Sequence, residues 1–585
     1  MSVLQNMGPA RVAGASGRQA PEDRDHRHHA LLVATWLILA LLVVGPAVYV
    51  LVCAVSNDPI TFDDGFSLTA VKDVFATGSM LWLLARSVLF ALVIGAVATA
   101  VATALAWSTV RLDMRGERLR ETLCMGTLYI SPFVTAVAWV WLAAPQTGVI
   151  NRFLGAVGVP DQLQPDALST GGMVFVMVVQ YVPYAYLFVS AAMRRIDTRM
   201  LEASQLCGRG PLYTTLRVML PVLRASLLSS VLFVGILAVG EFSVPTILGQ
   251  QGSFEPLSVT VYNALYSASQ NLPLAAAVSA ELMVVCLAGL FLYQRTLRNG
   301  ERFVSVSGRG HLSTRTVPSR LTATAVWVLT GLYTAVTFLL PLAAIVVMSM
   351  SNFLPASFGD IHLSFSTLWD ALDTAEVRSA TVNTVLLAIG VPVVSIALGV
   401  IVVYLSDRLR LPTAGALSYV ATAPMAIPGL VMGTGLLLLL IRTPLYASLP
   451  LIGIGMVAVC LTHAVRLVSN GVHQLDPSLE EASQVSGASR VRTVWSVLLP
   501  LIRPSLYSAF VLIFVLAIRE LNVAVALYSP HTQVLSVVAW NYSSSALTKA
   551  AAVGLLQLAL MFLGMGVLRA VFRADRAERA DRRKR

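Results

Sequence analysis

The sequence predicts an all-α integral membrane protein of about twelve transmembrane helices, built as two parallel six-helix repeats. Three observations carry that expectation. Hydrophobic residues make up 56% of the 585 residues and charged ones 12%, with a mean hydropathy of +0.75, far from a soluble globular composition. Apolar runs of about 20 residues, long enough to cross a hydrocarbon core as helices, recur along the chain. Two polar islands between such runs carry the same pattern, 279 residues apart.

Spans are expected near 31–55, 82–108, 122–145, 172–193, 222–243, 272–294, 323–349, 379–405, 415–441, 449–468, 503–528 and 550–572. The domains that follow are a cytoplasmic N-terminal tail (1–30), a first repeat (31–294), a cytoplasmic linker (295–322), a second repeat (323–572) and a basic cytoplasmic tail (573–585). The first 28 residues are polar, and the apolar stretch after them is too long for a signal-peptide core, so it reads as a retained first span.

With the N-terminus inside, 34 of the 41 Lys and Arg fall on inner segments, the exceptions being Lys72, Arg86, Arg152, Arg378, Arg442, Lys549 and Arg519. That is the positive-inside bias. The net charge of +11 then suits anionic lipid headgroups rather than nucleic acid. Five scattered cysteines, without a CxxC pair, read as buried or incidental thiols.

The halves match beyond the islands. Arg86-Ser-Val-Leu-Phe-Ala and Asn383-Thr-Val-Leu-Leu-Ala open the second span of each half at an offset of 297, and Pro132 and Pro428 match at 296. The offset falls to 279 at the islands because the outer loop 146–171 is long and its counterpart 442–448 is short. An even number of spans per half makes the repeats parallel and places both islands on the cytoplasmic side.

The islands read LEASQLCGRGPLYTTLRVMLP from Leu201 and EEASQVSGASRVRTVWSVLLP from Glu480, within coupling loops 197–221 and 476–500. Shared positions are Glu202/Glu481, Ala203/Ala482, Ser204/Ser483, Gln205/Gln484, Gly208/Gly487, Leu220/Leu499 and Pro221/Pro500. Glu-Ala-Ser-Gln ahead of Gly suits a short helix with a stop. The Gly-to-Pro interval suits a second helix that re-enters the membrane, with Pro at its start. An ordinary amphipathic connection could account for either copy alone, but not for two at matched spacing.

This pattern resembles the Glu-Ala-Ala loop of permease subunits in binding-protein-dependent ABC importers, with Ser204 and Ser483 replacing the second Ala, and Val218 and Val497 replacing an Ile. The resemblance implies a coupling helix seated on an ATPase subunit, so that each loop contacts one of two ATPase copies. It also implies an extracytoplasmic substrate-binding protein as partner, docking on outer loops 56–80, 146–171, 244–271 and 350–378, and a bacterial inner-membrane location. The chain has three lysines, none after a Gly, and no soluble segment for a nucleotide-binding domain. It therefore lacks a phosphate-cradling loop, and ATP and Mg would be used by the partner, with no cofactor bound here. Fused two-half permeases of this kind are similar to those for ferric iron, thiamine and 2-aminoethylphosphonate. The stretch from Phe514 through Ile518-Arg519-Glu520 to Leu527-Tyr-Ser-Pro, with its counterpart Gly240-Glu-Phe-Ser-Val-Pro, most resembles the ferric iron group.

Glu241 and Glu520 are symmetry mates, each 20 residues after its loop Pro. On a continuous helix they would rise about 30 Å, toward the outer mouth. Ionisable groups at membrane depth are functional suspects, and paired carboxylates suit a hard cation. Arg519 could neutralise Glu520 or favour an anion, and headgroup anchoring is the alternative role for all three. Glu281, midway along the sixth span, is expected to make a bonded interhelical contact or to serve as a substrate ligand. Tyr181, Tyr184 and Tyr186 are expected to pack around Pro183, with lining of the pathway as the alternative, and Arg466, near His463, to reach for the interface. No catalytic or metal-binding set is found. An ion-gradient-driven transporter with two six-helix lobes is the alternative class: Arg111-Leu-Asp-Met-Arg-Gly-Glu-Arg has some similarity to its short basic loop, but Asp407-Arg-Leu-Arg does not repeat it.

Overall fold

The computed structural model describes residues 21–582 apart from 64, 197, 250–253, 269, 302–314, 356–358, 360 and 410–412. Residues 1–20 of the N-terminal tail, 302–314 of the linker and the last three residues of the basic tail lie outside the described residues.

Among the described residues, nine helices are long and apolar enough to cross a membrane: His29–Ala54, Gly78–Val110, Thr170–Arg194, Thr215–Val239, Leu272–Leu297, Arg320–Ser349, Ala375–Leu409, Leu449–His473 and Leu547–Arg573. Two bent helix pairs are long and apolar enough to make two more crossings, Ala414–Ala426 with Gly429–Leu440 at 108° and Arg490–Leu501 with Arg503–Arg519 at 73°. The expected span 122–145 holds only the short apolar helix Pro132–Ala143, preceded by Glu117–Cys124 and a 3-10 turn at Gly126–Tyr129. The third crossing of each half is therefore broken rather than straight.

Proline chemistry explains the breaks. A residue before proline is driven out of the helical region. Ser131 sits at φ −61°, ψ 141° before Pro132, and Ile427 at φ −109°, ψ 116° before Pro428. Span 11 bends where span 5 does not because Pro504 has no amide proton to return to the preceding turn, and its counterpart in the first half is Ala225.

Four other prolines are accommodated differently. Wide π turns at Ala40–Val44, Thr215–Met219, Ala335–Leu339 and Val494–Leu498 each end two residues before a proline: Pro46, Pro221, Pro341 and Pro500. A π turn displaces the carbonyl that the proline ring would strike. Pro221 thus lies well inside a helix that has already begun and Pro500 near the end of the helix Arg490–Leu501, neither at a helix start as the sequence suggested.

Packing repeats across the halves. The second and fourth crossings form the closest pair in each, and the fifth lies against both. The first span of each half packs on the broken third crossing of the other half, with the sixth span beside it. The halves are therefore interlocked. The segment 244–271, expected as an outer loop, instead folds into helices Ser243–Leu248 and Leu257–Tyr266, which bury Leu248, Leu257 and Val261 completely. Equivalent hydroxyls hold this layer in both halves: Leu257 N donates to Ser87 Oγ (3.2 Å) and Leu535 N to Thr384 Oγ1 (2.9 Å).

Candidate functional site: two capped loops and a carboxylate pair at the seam

Each island begins with a short helix, Thr198–Leu206 or Ser478–Val485. Asp476 accepts from Ser478 N at 2.9 Å and starts the second, and this bond holds its carboxyl below the usual carboxylate range. The counterpart Asp197 lies outside the described residues. Both helices end alike. Gly208 N donates to Gln205 O and Arg209 N to Ser204 O, while Gly487 N donates to Gln484 O and Ala488 N to Ser483 O. This is the paired-carbonyl stop of a Schellman motif, and it needs a left-handed residue. Gly208 has φ +76° and Gly487 φ +90°.

The serines then clasp the returning chain. Ser204 Oγ lies 2.9 Å from Thr214 Oγ1, and Ser483 Oγ lies 3.0 Å from Thr493 Oγ1. Glu202 is half-buried, whereas Glu481, Ala203 and Ala482 face outward. Apolar side chains are exposed at matching positions: Met200 and Leu479, Leu206 and Val485 (both 89%), Leu216 and Trp495. Sequence reading missed this apolar set because it attended to the polar positions of the motif.

The second locus forms where the fifth and eleventh spans end. Glu241 Oε1 accepts from Ser243 N (2.8 Å), and Glu520 Oε1 accepts from Val523 N (3.0 Å). Each carboxylate thus caps the short helix that follows the break, a structural use the sequence did not suggest. The backbones are tied as well, Ser258 Oγ donating to Glu241 O (2.7 Å) and Ser536 Oγ to Glu520 O (2.6 Å). Ser243 Oγ meets its own mate, Asn522 Oδ1, at 3.3 Å, so the pseudo-two-fold axis passes between them.

A Cβ at Gly240 would lie 2.8 Å from Pro428, and one at Gly429 3.1 Å from Asn522. The carboxylates therefore sit level with the mid-span proline breaks. Glu241 follows the uninterrupted helix Leu220–Val239, as the sequence suggested, whereas the helix leading to Glu520 is bent at Ile502. Phe242, Tyr262 and Trp540 pack across the seam beside them, and Tyr266 OH donates to Ala526 O at 2.8 Å.

The halves differ around this seam. Tyr181 OH donates to Glu241 Oε2 at 3.0 Å, and the equivalent residue beside Glu520 is Cys460. Arg519 stands where the first half has Gly240. Its guanidinium donates to Leu128 O and, at 2.9 Å, to Tyr184 OH. It fastens the eleventh span to the opposite half, and among the described residues it forms no ion pair with Glu520. Tyr184 has His463 as its mate, with Gly240 in place of the arginine, and His463 Nδ1 has no hydrogen-bond partner among the described residues. Tyr186 OH bonds Thr109 Oγ1 at 2.8 Å. All three tyrosines are hydrogen-bonded, beyond the packing expected of them.

Glu281 departs from expectation. It is 1% exposed, and both carboxylate oxygens lack a hydrogen-bond partner among the described residues. Its position aligns with Leu556, whereas the neighbouring Gln557 bonds Ile518 O. Among the described residues no three His, Cys, Asp or Glu side chains are grouped so as to hold a metal ion.

The molecule thus carries a duplicated, identically capped loop on interlocked helical halves. The family model described as "Binding-protein-dependent transport system inner membrane component" matches twice, over residues 115–298 and 395–575, more than half of the chain. The chain belongs to this family. It is a multi-pass membrane permease subunit of an ABC importer with both permease domains fused. That sets aside the ion-gradient alternative. Among similar proteins, the ferric transport system permease protein FbpB of Actinobacillus pleuropneumoniae is 25% identical over 87% of this chain and 73% of its own length. The Fe(3+)-transport system permease protein FbpB 2 of Haemophilus influenzae is 24% identical over 91% and 97%. The probable ABC transporter permease protein y4fN of Sinorhizobium fredii is 26% identical over 92% and 94%.

Proposed function

We propose that this permease imports ferric iron delivered by an extracytoplasmic binding protein, and that two separate ATPase subunits drive it through the loops 197–221 and 476–500. The two capped helices carry the reading. Each presents Glu202 or Glu481, Ala203 or Ala482 and an exposed Leu206 or Val485 in one register, fixed by Gly208 or Gly487 and by the serine clasp. An exposed apolar side chain on a polar loop suits burial in a partner's cleft. Both loops face the cytoplasm, and both termini lie there too, in the bacterial inner membrane. Pro221 and Pro500, behind their π turns, set the angle at which each loop meets its span.

ATP binding closes the ATPases and draws the loops together. The two halves then rock about the axis between Ser243 and Asn522, and hydrolysis resets them. Glu241 and Glu520, close to that axis, offer hard oxygen ligands on the path of a trivalent cation. Arg519, held by Leu128 and Tyr184, belongs to the contact that must open as the halves move. Glu281 is a buried acid beside the same path.

The substrate reading rests on the named ferric relatives that span most of the chain and on the carboxylate pair. Uptake of radioactive iron in cells carrying the permease, its ATPase and its binding protein tests it. Competition by excess ferric but not ferrous iron, thiamine or 2-aminoethylphosphonate is the expected result. Unchanged iron uptake on deleting the permease overturns the substrate.

A further inference from the structure

The two coupling loops share a sequence frame but are not fastened to the membrane helices in the same way. Arg408, at the inner end of the eighth span, is nearly enclosed, and its Nη2 donates to Val472 O (2.9 Å) and Leu475 O (3.0 Å) where the tenth span ends. Its Nε lies 2.9 Å from Glu480 Oε1. This is an ion pair rather than an aligned hydrogen bond, and the side chains are 13% and 10% exposed. Glu480 is in the first turn of the second coupling helix, facing inward beside the outward-facing Glu481.

The first half repeats only part of this. Arg111 is the mate of Arg408, and its Nη2 donates to Met193 O at 2.9 Å, as Arg408 does to the equivalent Val472. The position of Glu480 is occupied by Leu201. Arg111 is 6% exposed, and its Nε and Nη1 have no hydrogen-bond partner among the described residues. The arginine is kept in both halves and the acid in one.

We propose that Glu480 is a positioning residue for energy coupling: with Arg408 it forms a strut that locks the second coupling helix to the eighth and tenth spans, and the equivalent positions of the first half, Arg111 and Leu201, form no such strut. Motion imposed on the second loop is then transmitted rigidly, because stretching a nearly enclosed ion pair strands a charge. Motion of the first loop is transmitted without that pair, the Ser204–Thr214 clasp being one of its ties. This rests on the coupling reading above and adds that the two ATPase contacts are mechanically unequal. Buried as it is, Glu480 does not serve as the ATPase contact itself.

The test uses the full chain with its ATPase and binding protein in lipid nanodiscs, comparing Glu480→Gln with Leu201→Gln. The strut predicts that E480Q keeps its attached ATPase and its basal hydrolysis but moves roughly tenfold less substrate per ATP, since one partner of a buried pair is left unmatched. L201Q stays within about twofold of the native ratio, as expected for a position with no ion pair to lose. A native ratio in E480Q overturns the strut, and so does an equal loss in both variants. Amide exchange on the native complex supplies a second readout that needs no variant. Residues 478–485 should exchange more slowly than 198–206, and equal or reversed protection refutes the inequality. A native chain that purifies without any ATPase would instead refute the coupling reading.

Discussion

Gly208 and Gly487 permit a clean perturbation, because a Cβ added at either finds no heavy atom within 4 Å. The cost of substitution is then purely that of the left-handed backbone at φ +76° and +90°. For an L-residue it is about 1–2 kcal/mol, which lowers the population of the native loop ending by a factor of about 5–30. Alanine pays that penalty, a β-branched valine more, and asparagine least because it tolerates the left-handed region. In nanodiscs with loaded binding protein, stimulated ATP hydrolysis should therefore fall in the order Gly, Asn, Ala, Val at either site. Membrane abundance should not change, since both glycines are exposed and outside the spans. The double alanine variant should show roughly the product of the single losses, as for two independent sites. Equal activity across the series, or asparagine as damaging as valine, would refute the claim that the capped ending positions the loop.

Ser204→Ala and Ser483→Ala each remove one clasp and should cost roughly 0.5–1.5 kcal/mol, read as weaker binding-protein stimulation. Adding Thr214→Val to the first, or Thr493→Val to the second, should bring little further loss, which separates the clasp from a general helix effect. Glu241→Gln and Glu520→Gln keep an acceptor for the amides of Ser243 and Val523 but remove the charge. Iron transport should fall at least tenfold with assembly intact if the carboxylates meet the cation, whereas alanine at either position should also weaken the thermal stability of the purified chain by about 1–3 kcal/mol; retention of full transport by both glutamines limits them to capping. Arg315 from the linker donates to Glu117, Nη2 to Oε1 at 2.8 Å, and holds that carboxyl below its usual 4.5. A lowered folded-state value means that the attachment is complete above pH 4.5 and fails as acid carries the group through its lowered value. Protection of the Thr316 and Asp113 amides, which pair with Arg111 O and Thr316 O, should hold from pH 8 to 5; loss of protection near pH 6 contradicts the clamp.

Much of this was legible in the order of residues. The duplicated Glu-Ala-Ser frame, the falling offset and the parity of spans gave two parallel repeats, and a Gly after each short helix announced its stop. The breaks were half visible: Pro132 and Pro428 stood out as mates, but their effect depends on the extended residue before each. Pro221 and Pro500 misled because a proline can follow a π turn inside a helix as readily as it can open one. The interlocking of the first span with the other half's third crossing leaves no local pattern, since any apolar surface suits a neighbour. Glu241 and Glu520 looked exposed to function alone because a capping bond to a residue two or three positions on cannot be inferred without the break. The Arg111/Arg408 pair was within reach. Each is followed by Leu at the end of an equivalent span at the 297 offset, but basic residues at inner span ends are common enough to be passed over.

The direction in which the loops face is tested most directly by thiol labelling. Cys207, one residue beyond Leu206, is exposed, whereas Cys53, Cys124, Cys286 and Cys460 are buried, so a membrane-impermeant maleimide reads one loop in the native chain and the other in a Val485→Cys variant lacking Cys207. Both sites should label in inside-out vesicles, fail to label in right-side-out ones, and be shielded when the ATPase is bound. Labelling from the outside at either site contradicts the account.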